Sequence, residues 1–293
     1  MIKMKRSALL SLKTVRTASA VLFGLLLVLR IYQTFMLTDG ETGFFTKSNV
    51  TVPLMFILSA GAAAVICILC YLIKDFPAGD VKKRTSPLYA AAGLVFALTL
   101  LYEGLKDVKL MMSAGAGFAA AKEAVGGNVG LIGTVFAVLG AVAVLLSVFS
   151  YLKTGTLTGK LKIPMLFPVL WAFAETLGFF AVTVSYIKIS QLFLAIDSAA
   201  FLMLVLFENA RVTTGIGRKS ALWFYYATAV IAAGFCFATG LPSLLATIFK
   251  PELVVEYCPF ELYTLGGGLY ALASLFVRAE ETAEITDTVT ETE

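Results

Sequence analysis

The chain has 293 residues, of which 59% are hydrophobic and only 14% are charged, and its formal net charge is +4. Soluble domains average about 45–50% apolar and about 25% charged residues, so the composition excludes an ordinary soluble protein and favours an integral membrane protein. Histidine is absent, which excludes a Ser-His-Asp triad, an HExxH zinc site and histidine-ligated iron.

Apolar runs long enough to cross a bilayer recur along the whole chain. A transmembrane helix needs about 20 mostly apolar residues, within a range of about 17–25. The sequence therefore predicts an all-α integral membrane protein, a polytopic bundle of about eight transmembrane helices formed by residues 1–278. The predicted spans are residues 18–37, 52–73, 88–105, 130–152, 164–187, 191–207, 221–240 and 259–277.

The basic residues indicate an orientation for these spans. Residues 3–16, 74–84, 153–162 and 211–219, together with Arg278, contain most of the 23 lysines and arginines. Cytoplasmic loops are enriched in Lys and Arg, and eight spans with a cytoplasmic N-terminus would place all these segments inside. We therefore expect both termini to be cytoplasmic.

Three segments outside the predicted spans have their own character. Residues 106–128 are rich in Ala and Gly, and we expect them to form a helix lying on the membrane surface. Residues 241–249 are apolar but too short to cross, and the preceding Gly240-Leu-Pro242 predicts a break before an interfacial or re-entrant piece. Residues 279–293 are acidic and threonine-rich, and are expected to form a disordered cytoplasmic tail.

The sequence contains no motif that points to a metal or a cofactor. Cys67 and Cys70 form a C-x-x-C, but they lie in an apolar run without a second cysteine pair nearby, which is typical of buried free cysteines. The Gly266–Gly268 run lacks the Lys-Ser/Thr that follows a phosphate-binding loop. Its small residues instead favour close helix packing.

Three ionisable residues are the clear cases of charge within the predicted spans: Arg30, Glu175 and Asp197. Charges in spans cost about 2.5–3.5 kcal/mol at the helix centre on insertion scales and normally face the bundle. Counting about 1.5 Å per residue from the outer helix ends places Arg30 at roughly 11 Å, Asp197 at roughly 9 Å and Glu175 at roughly 18 Å. Arg30, Gln33 and Thr34 share one side of the first span.

These positions favour a substrate-binding site in the outer half of the bundle, formed by Arg30, Gln33, Glu175 and Asp197. One cation and two carboxylates would favour a cationic substrate, a metal ion or a proton-carrying carboxylate. The structural alternative is an ion pair between Arg30 and Asp197, with Glu175 protonated or hydrogen-bonded. Arg30 could also extend outward towards the lipid headgroups.

Two functions are consistent with this pattern. The first is a transporter or permease for a small solute. The second is a non-catalytic membrane scaffold or accessory subunit that acts through membrane protein partners. An enzyme is disfavoured, because no catalytic or metal-binding set can be assembled. We expect the lipid bilayer as the main partner, a small solute or cation as the ligand, no nucleic acid, and a multi-pass location in a cell membrane, namely the bacterial cytoplasmic membrane.

Overall fold

The fold is known from a computed structural model, and its regular secondary structure is helical throughout the part of the chain that it describes. The predicted tail, residues 279–293, lies outside the described residues. The described ranges are residues 12–38, 50–73, 87–114, 117–154, 159–181, 189–213, 222–253 and 261–275.

Nine α-helices are present in these ranges, and a five-residue π-helical segment, Gln33–Leu37, extends the first of them. Short 3-10 turns precede the sixth helix and follow the eighth. The helices are α1 Leu12–Tyr32, α2 Thr51–Leu72, α3 Pro87–Ser113, α4 Phe118–Ala124, α5 Gly127–Thr154, α6 Phe167–Ala181, α7 Ile189–Thr213, α8 Leu222–Phe249 and α9 Leu262–Leu275.

Apart from the short α4, the helices run alternately up and down. On α3 and α5, Gly93 lies against Val148 and Gly104 lies against Val138, so these two helices are antiparallel. Four other helix pairs are antiparallel by the same criterion. The contacts are Gly140–Pro168 and Gly133–Ala174 between α5 and α6, and Leu194–Thr239 and Phe201–Phe235 between α7 and α8. They are Cys236–Gly268 and Gly240–Thr264 between α8 and α9, and Gly93–Tyr270 and Glu103–Leu262 between α3 and α9.

Two further contacts complete the arrangement. Arg16 bonds Tyr226 and Phe23 packs on Phe235, so α1 and α8 are parallel. Thus α1, α3, α6 and α8 point one way, and α2, α5, α7 and α9 point the other. We call the end at which α1 begins the proximal end and the opposite one the distal end. The N-terminal end of α1 and the C-terminal end of α9 both lie at the proximal end.

Six of the described helices are long and apolar enough to cross a membrane, so the prediction of eight spans was too high. The six candidate spans are Leu12–Leu37, Thr51–Leu72, Pro87–Ser113, Gly127–Thr154, Leu192–Arg211 and Leu222–Phe249. With large apolar side chains facing outward along these helices, the chain is an integral multi-pass membrane protein that contacts the lipid bilayer.

The described helices of the fifth and eighth predicted spans are shorter than the six candidate spans. Their apolar helical parts are Pro164–Phe180 and Leu262–Leu275, which extend about 25 Å and about 21 Å at about 1.5 Å per residue. A hydrocarbon core is about 30 Å thick. The rest of these two predicted spans, residues 182–187, 259–260 and 276–277, lies outside the described residues.

Two other predicted segments also differ. The expected break before residues 241–249 is absent, because α8 continues unbroken through Pro242 to Phe249. Ser243 donates from Oγ to the Thr239 carbonyl at 3.0 Å, an additional polar contact where proline removes a backbone donor. Of the predicted surface helix over residues 106–128, the first part belongs to α3, and only Phe118–Ala124 forms a separate, exposed helix.

The core divides into two packed clusters on either side of α7, α8 and α9. One is formed mainly by α1, α2 and α8, and the other mainly by α3, α5 and α6 with α7 and α9. The Gly266–Gly268 run joins them: Gly266 lies against Thr99 of α3, Gly267 against Leu202 of α7 and Gly268 against Cys236 of α8. Three successive glycines thus let α9 approach three different helices.

Candidate functional site

A network of charged side chains lies at the distal end, where α3 meets the start of α9. Lys106 Nζ is 2.9 Å from Glu103 Oε2, one turn earlier on α3, and 3.3 Å from Glu261 Oε2, which precedes α9. The Glu103 side chain is buried, whereas those of Lys106 and Glu261 are partly exposed. One ammonium therefore bridges two carboxylates on different segments of the chain.

The second oxygen of Glu103 fixes the position of α9. Glu103 Oε1 accepts a hydrogen bond from the backbone N–H of Leu262 at 3.2 Å. Leu262 is the first residue of α9, and the first N–H groups of a helix have no partner within it. A carboxylate from α3 therefore caps α9, so Glu103 has two structural partners.

Asp107 connects the same end of α3 to α5. The hydroxyl of Thr134 lies 2.9 Å from Asp107 Oδ2 and equally 2.9 Å from the carbonyl of Gly130, so its single proton can be donated to either. Glu103, Lys106 and Asp107 follow a spacing of three and four residues, which places them on one face of α3. That face points towards α5 and α9.

Glu175 of α6 completes the group. Its carboxylate is close enough to the charged groups of α3 and to Glu261 to interact with them electrostatically. We call Glu103, Lys106, Asp107, Glu175 and Glu261 the distal cluster. Four carboxylates and one ammonium give it a formal charge of −3 if all are ionised, which favours a cation over an anion.

Glu175 differs from the other members of the distal cluster in having no partner. Within the described residues its half-buried carboxylate forms neither a hydrogen bond nor an ion pair. Trp171, one turn earlier on α6, is fully buried, so this face of the helix points inward. A Cβ added at Gly178, nearly one turn beyond Glu175, would meet no atom within 4 Å. The backbone of α6 is therefore uncovered at Gly178.

Arg30 and Gln33 lie in another part of the distal half. Arg30 is buried and donates from Nη1 to Gln33 Oε1 at 3.3 Å. Gln33, also buried, donates from Nε2 to the carbonyl of Thr51 at 3.0 Å. The pair thus ties the π-helical end of α1 to the start of α2. Since α1 packs against α2 and α8, Arg30 belongs to a different helix group from Glu175.

Asp197 of α7 is half-buried, and the described part of the chain supplies no hydrogen bond or ion pair to its carboxylate. The proposed structural ion pair with Arg30 is therefore not observed. Phe193 and Phe201, one turn away on either side, pack on α2 and α8 respectively. Asp197 thus lies in the distal half, as Glu175 does. It belongs, however, to the side of α7 that faces the core cluster formed mainly by α1, α2 and α8.

The structure adds four charged residues that sequence reasoning missed: Glu103, Lys106, Asp107 and Glu261. Glu103 and Glu261 lie near the ends of predicted spans, and Lys106 and Asp107 lie just beyond one. Charges at such positions are usually solvated, and only the fold brings α3, α6 and α9 together. A usable signal was present, since Glu103, Lys106 and Asp107 have helical spacing. Extending the third span beyond residue 105 would have placed them on one helix face.

No known protein family, curated protein or solved structure matches the chain. The class of the protein therefore rests on its own helices: an all-helical, multi-pass integral membrane protein with about six spans. Among the residues that the structure describes, no three His, Cys, Asp or Glu side chains are placed to hold a metal ion together.

Proposed function

We propose that this protein binds a small cationic solute at the distal cluster and carries it across the membrane, a transport role rather than a catalytic one. The observation that carries the proposal is Glu175, a carboxylate on the inward face of α6 without a partner in the described residues. Intramembrane charges are costly and generally serve a function or find a partner. The neighbouring Glu103, Lys106 and Asp107 have their partners; Glu175 can take a ligand.

The proposal includes an orientation. Because the helices alternate in direction, the start of α1 and the end of α9 lie on the same side of the bundle. The sequence segments between α2 and α3 and between α7 and α8 contain the basic residues Lys82, Lys83, Arg84, Arg218 and Lys219. By the enrichment of basic residues in cytoplasmic loops, we infer that the proximal end is cytoplasmic and the distal cluster faces outward. A bacterial cytoplasmic membrane is the setting we propose.

Reporter fusions test this orientation. Alkaline phosphatase is active only outside the cytoplasm, so a fusion at residue 122 should be active and one at residue 219 inactive. Fluorescent-protein fusions at the same positions should give the reverse pattern. Active phosphatase at residue 219 would contradict the proposed orientation.

Transport is tested by uptake into proteoliposomes of radioactive rubidium and of radiolabelled choline, two cations that cross bilayers poorly without help. We expect uptake of at least one, and Glu175→Gln should reduce it at least tenfold because the variant keeps the shape but removes the charge. Asp197→Asn tests the sequence-based assignment in the same assay. Glu123→Gln, on the exposed helix α4, is the control. Unchanged uptake in both Glu175→Gln and Asp197→Asn would eliminate the site.

A scaffold or accessory role is the second candidate, and one observation favours it. The outward face of α2 carries Ala60, Gly61 and Ala64, and a Cβ added at Gly61 would meet no atom within 4 Å. Small residues on a lipid-facing helix allow close approach of another helix. Crosslinking in membranes should then lose its products in Gly61→Leu but not in Val135→Leu, on the exposed face of α5.

A further inference from the structure

Two buried polar atoms near Glu175 have no hydrogen-bond partner within the described part of the chain. Among the described residues, Tyr263 Oη and Trp171 Nε1 are both inaccessible and unsatisfied, and each residue is only 1% exposed. Buried polar groups in folded proteins are nearly always hydrogen-bonded, so such exceptions require an explanation. A bound ligand that supplies the missing acceptor is one.

Both atoms belong to the surroundings of the distal cluster. The Tyr263 hydroxyl is within electrostatic range of Glu175, Glu261 and Glu103. Trp171 lies one helical turn before Glu175 on the same face of α6, and its ring packs edge-on against that of Tyr263 with 4.9 Å between centroids. The unpaired carboxylate and the two unsatisfied groups thus come from adjoining parts of α6 and α9.

The chemistry of these groups restricts the ligand. A free carboxylate at Glu175 needs a cation. The indole N–H can only donate, and the tyrosine hydroxyl can also donate, so the same ligand should carry an acceptor oxygen. Aromatic rings of Trp and Tyr also attract organic cations to their faces. A carboxylate on the ligand is disfavoured by the formal charge of −3 of the distal cluster, so the acceptor should be uncharged.

We propose that the Glu175 site binds a small organic amine that carries an uncharged oxygen, with its ammonium on Glu175 and its oxygen on Tyr263 Oη and Trp171 Nε1. This assignment rests on the proposed transport function and names its substrate class. Inorganic cations and simple alkylamines lack the acceptor oxygen. Amino acids carry a carboxylate, which the negative charge of the distal cluster would repel.

Tryptophan fluorescence provides a direct test. The chain has two tryptophans, and Trp223→Phe leaves Trp171 as the only reporter. Because Trp171 is buried, a ligand that bonds to its Nε1 must enter the packed interior and change its emission. The full-length protein in detergent is titrated with ethanolamine, ethylamine, glycine and potassium. Ethanolamine should bind at least tenfold more tightly than ethylamine, and glycine and potassium should give no saturable change.

Substitutions then separate the two contacts. Tyr263→Phe keeps the ring and removes the hydroxyl, so it should weaken ethanolamine binding at least threefold and leave ethylamine binding unchanged. Glu175→Gln should weaken both at least tenfold. Tyr225→Phe removes a buried hydroxyl of α8 as a control and should change neither. The ratio of the ethanolamine and ethylamine affinities is measured in the Trp223→Phe protein without any substitution in the site. It therefore tests the proposal even if Tyr263→Phe fails to fold.

Equal binding of ethanolamine and ethylamine in the parent would overturn the assignment, as would a preference that Tyr263→Phe leaves intact. Glu175-dependent uptake of rubidium or choline without any preference for ethanolamine would overturn this assignment alone and leave the transport proposal standing. Absence of both amine binding and Glu175-dependent uptake would overturn both.

Discussion

Glu103 on α3 accepts a hydrogen bond from the backbone N–H of Leu262, the first residue of α9, at 3.2 Å. A helix is thus capped by a side chain that is distant in sequence, and the same carboxylate is paired with Lys106. The start of α9 is thus held by a side chain of α3.

The first prediction concerns this double role. Glu103→Ala removes both the cap and the ion pair, and hydrogen bonds to charged groups contribute about 1.5–3 kcal/mol. Because Lys106 is one-third exposed and keeps Glu261, we expect a loss of about 1–3 kcal/mol in the free energy of unfolding. Glu103→Gln retains an oxygen for Leu262 and should lose less. Chemical denaturation in detergent measures both, and Glu123→Ala is the exposed control. Equal losses in Glu103→Ala and Glu123→Ala would contradict the assigned role.

The second prediction concerns the glycines of α9. A Cβ at Gly266 would collide with the side chain of Thr99, whose Cγ2 would be only 2.8 Å away. Gly266→Ala should therefore destabilise the protein by about 1–3 kcal/mol through overpacking. Gly61→Ala on α2 is the matched control, since the added methyl group meets nothing and alanine favours the helix. The change in melting temperature relative to the parent protein should differ between the two variants in sign or clearly in size. Similar changes would count against the close contact between α3 and α9.

Sequence alone predicted the class of the protein because apolar helices reveal themselves locally. It overestimated the number of spans, since the described parts of α6 and α9 are shorter than the six candidate spans. Glu175 was selected as a candidate because a carboxylate stands out in an apolar run. Its neighbours Lys106 and Glu261 are 155 residues apart, and nothing local predicts that they meet.

The third prediction addresses the buried hydroxyls near the proximal end. Tyr270 Oη accepts a hydrogen bond from Asn209 Nδ2 at 2.7 Å and lies 2.7 Å from Tyr89 Oη. Tyr270→Phe should cost about 1–3 kcal/mol, as for other buried hydrogen bonds. In a double-mutant cycle, Tyr270→Phe and Asn209→Leu should show a coupling energy of about 0.5–3 kcal/mol, the range for residues in contact. Additive effects would show that the two side chains do not stabilise each other.

The last prediction separates a ligand site from a structural one at Glu175. A buried charge without a partner is destabilising, so a neutral isostere should relieve the penalty. We expect the free energy of unfolding of Glu175→Gln to equal that of the parent protein or to exceed it by up to about 1–2 kcal/mol, as happens when a functional site is replaced by a more stable arrangement. Glu261→Gln, which weakens the ion pair with Lys106, should instead lower stability. Chemical denaturation of both variants in one detergent makes the comparison. A marked loss of stability in Glu175→Gln would indicate that this carboxylate holds the bundle together, and the reason for assigning it a ligand would then disappear.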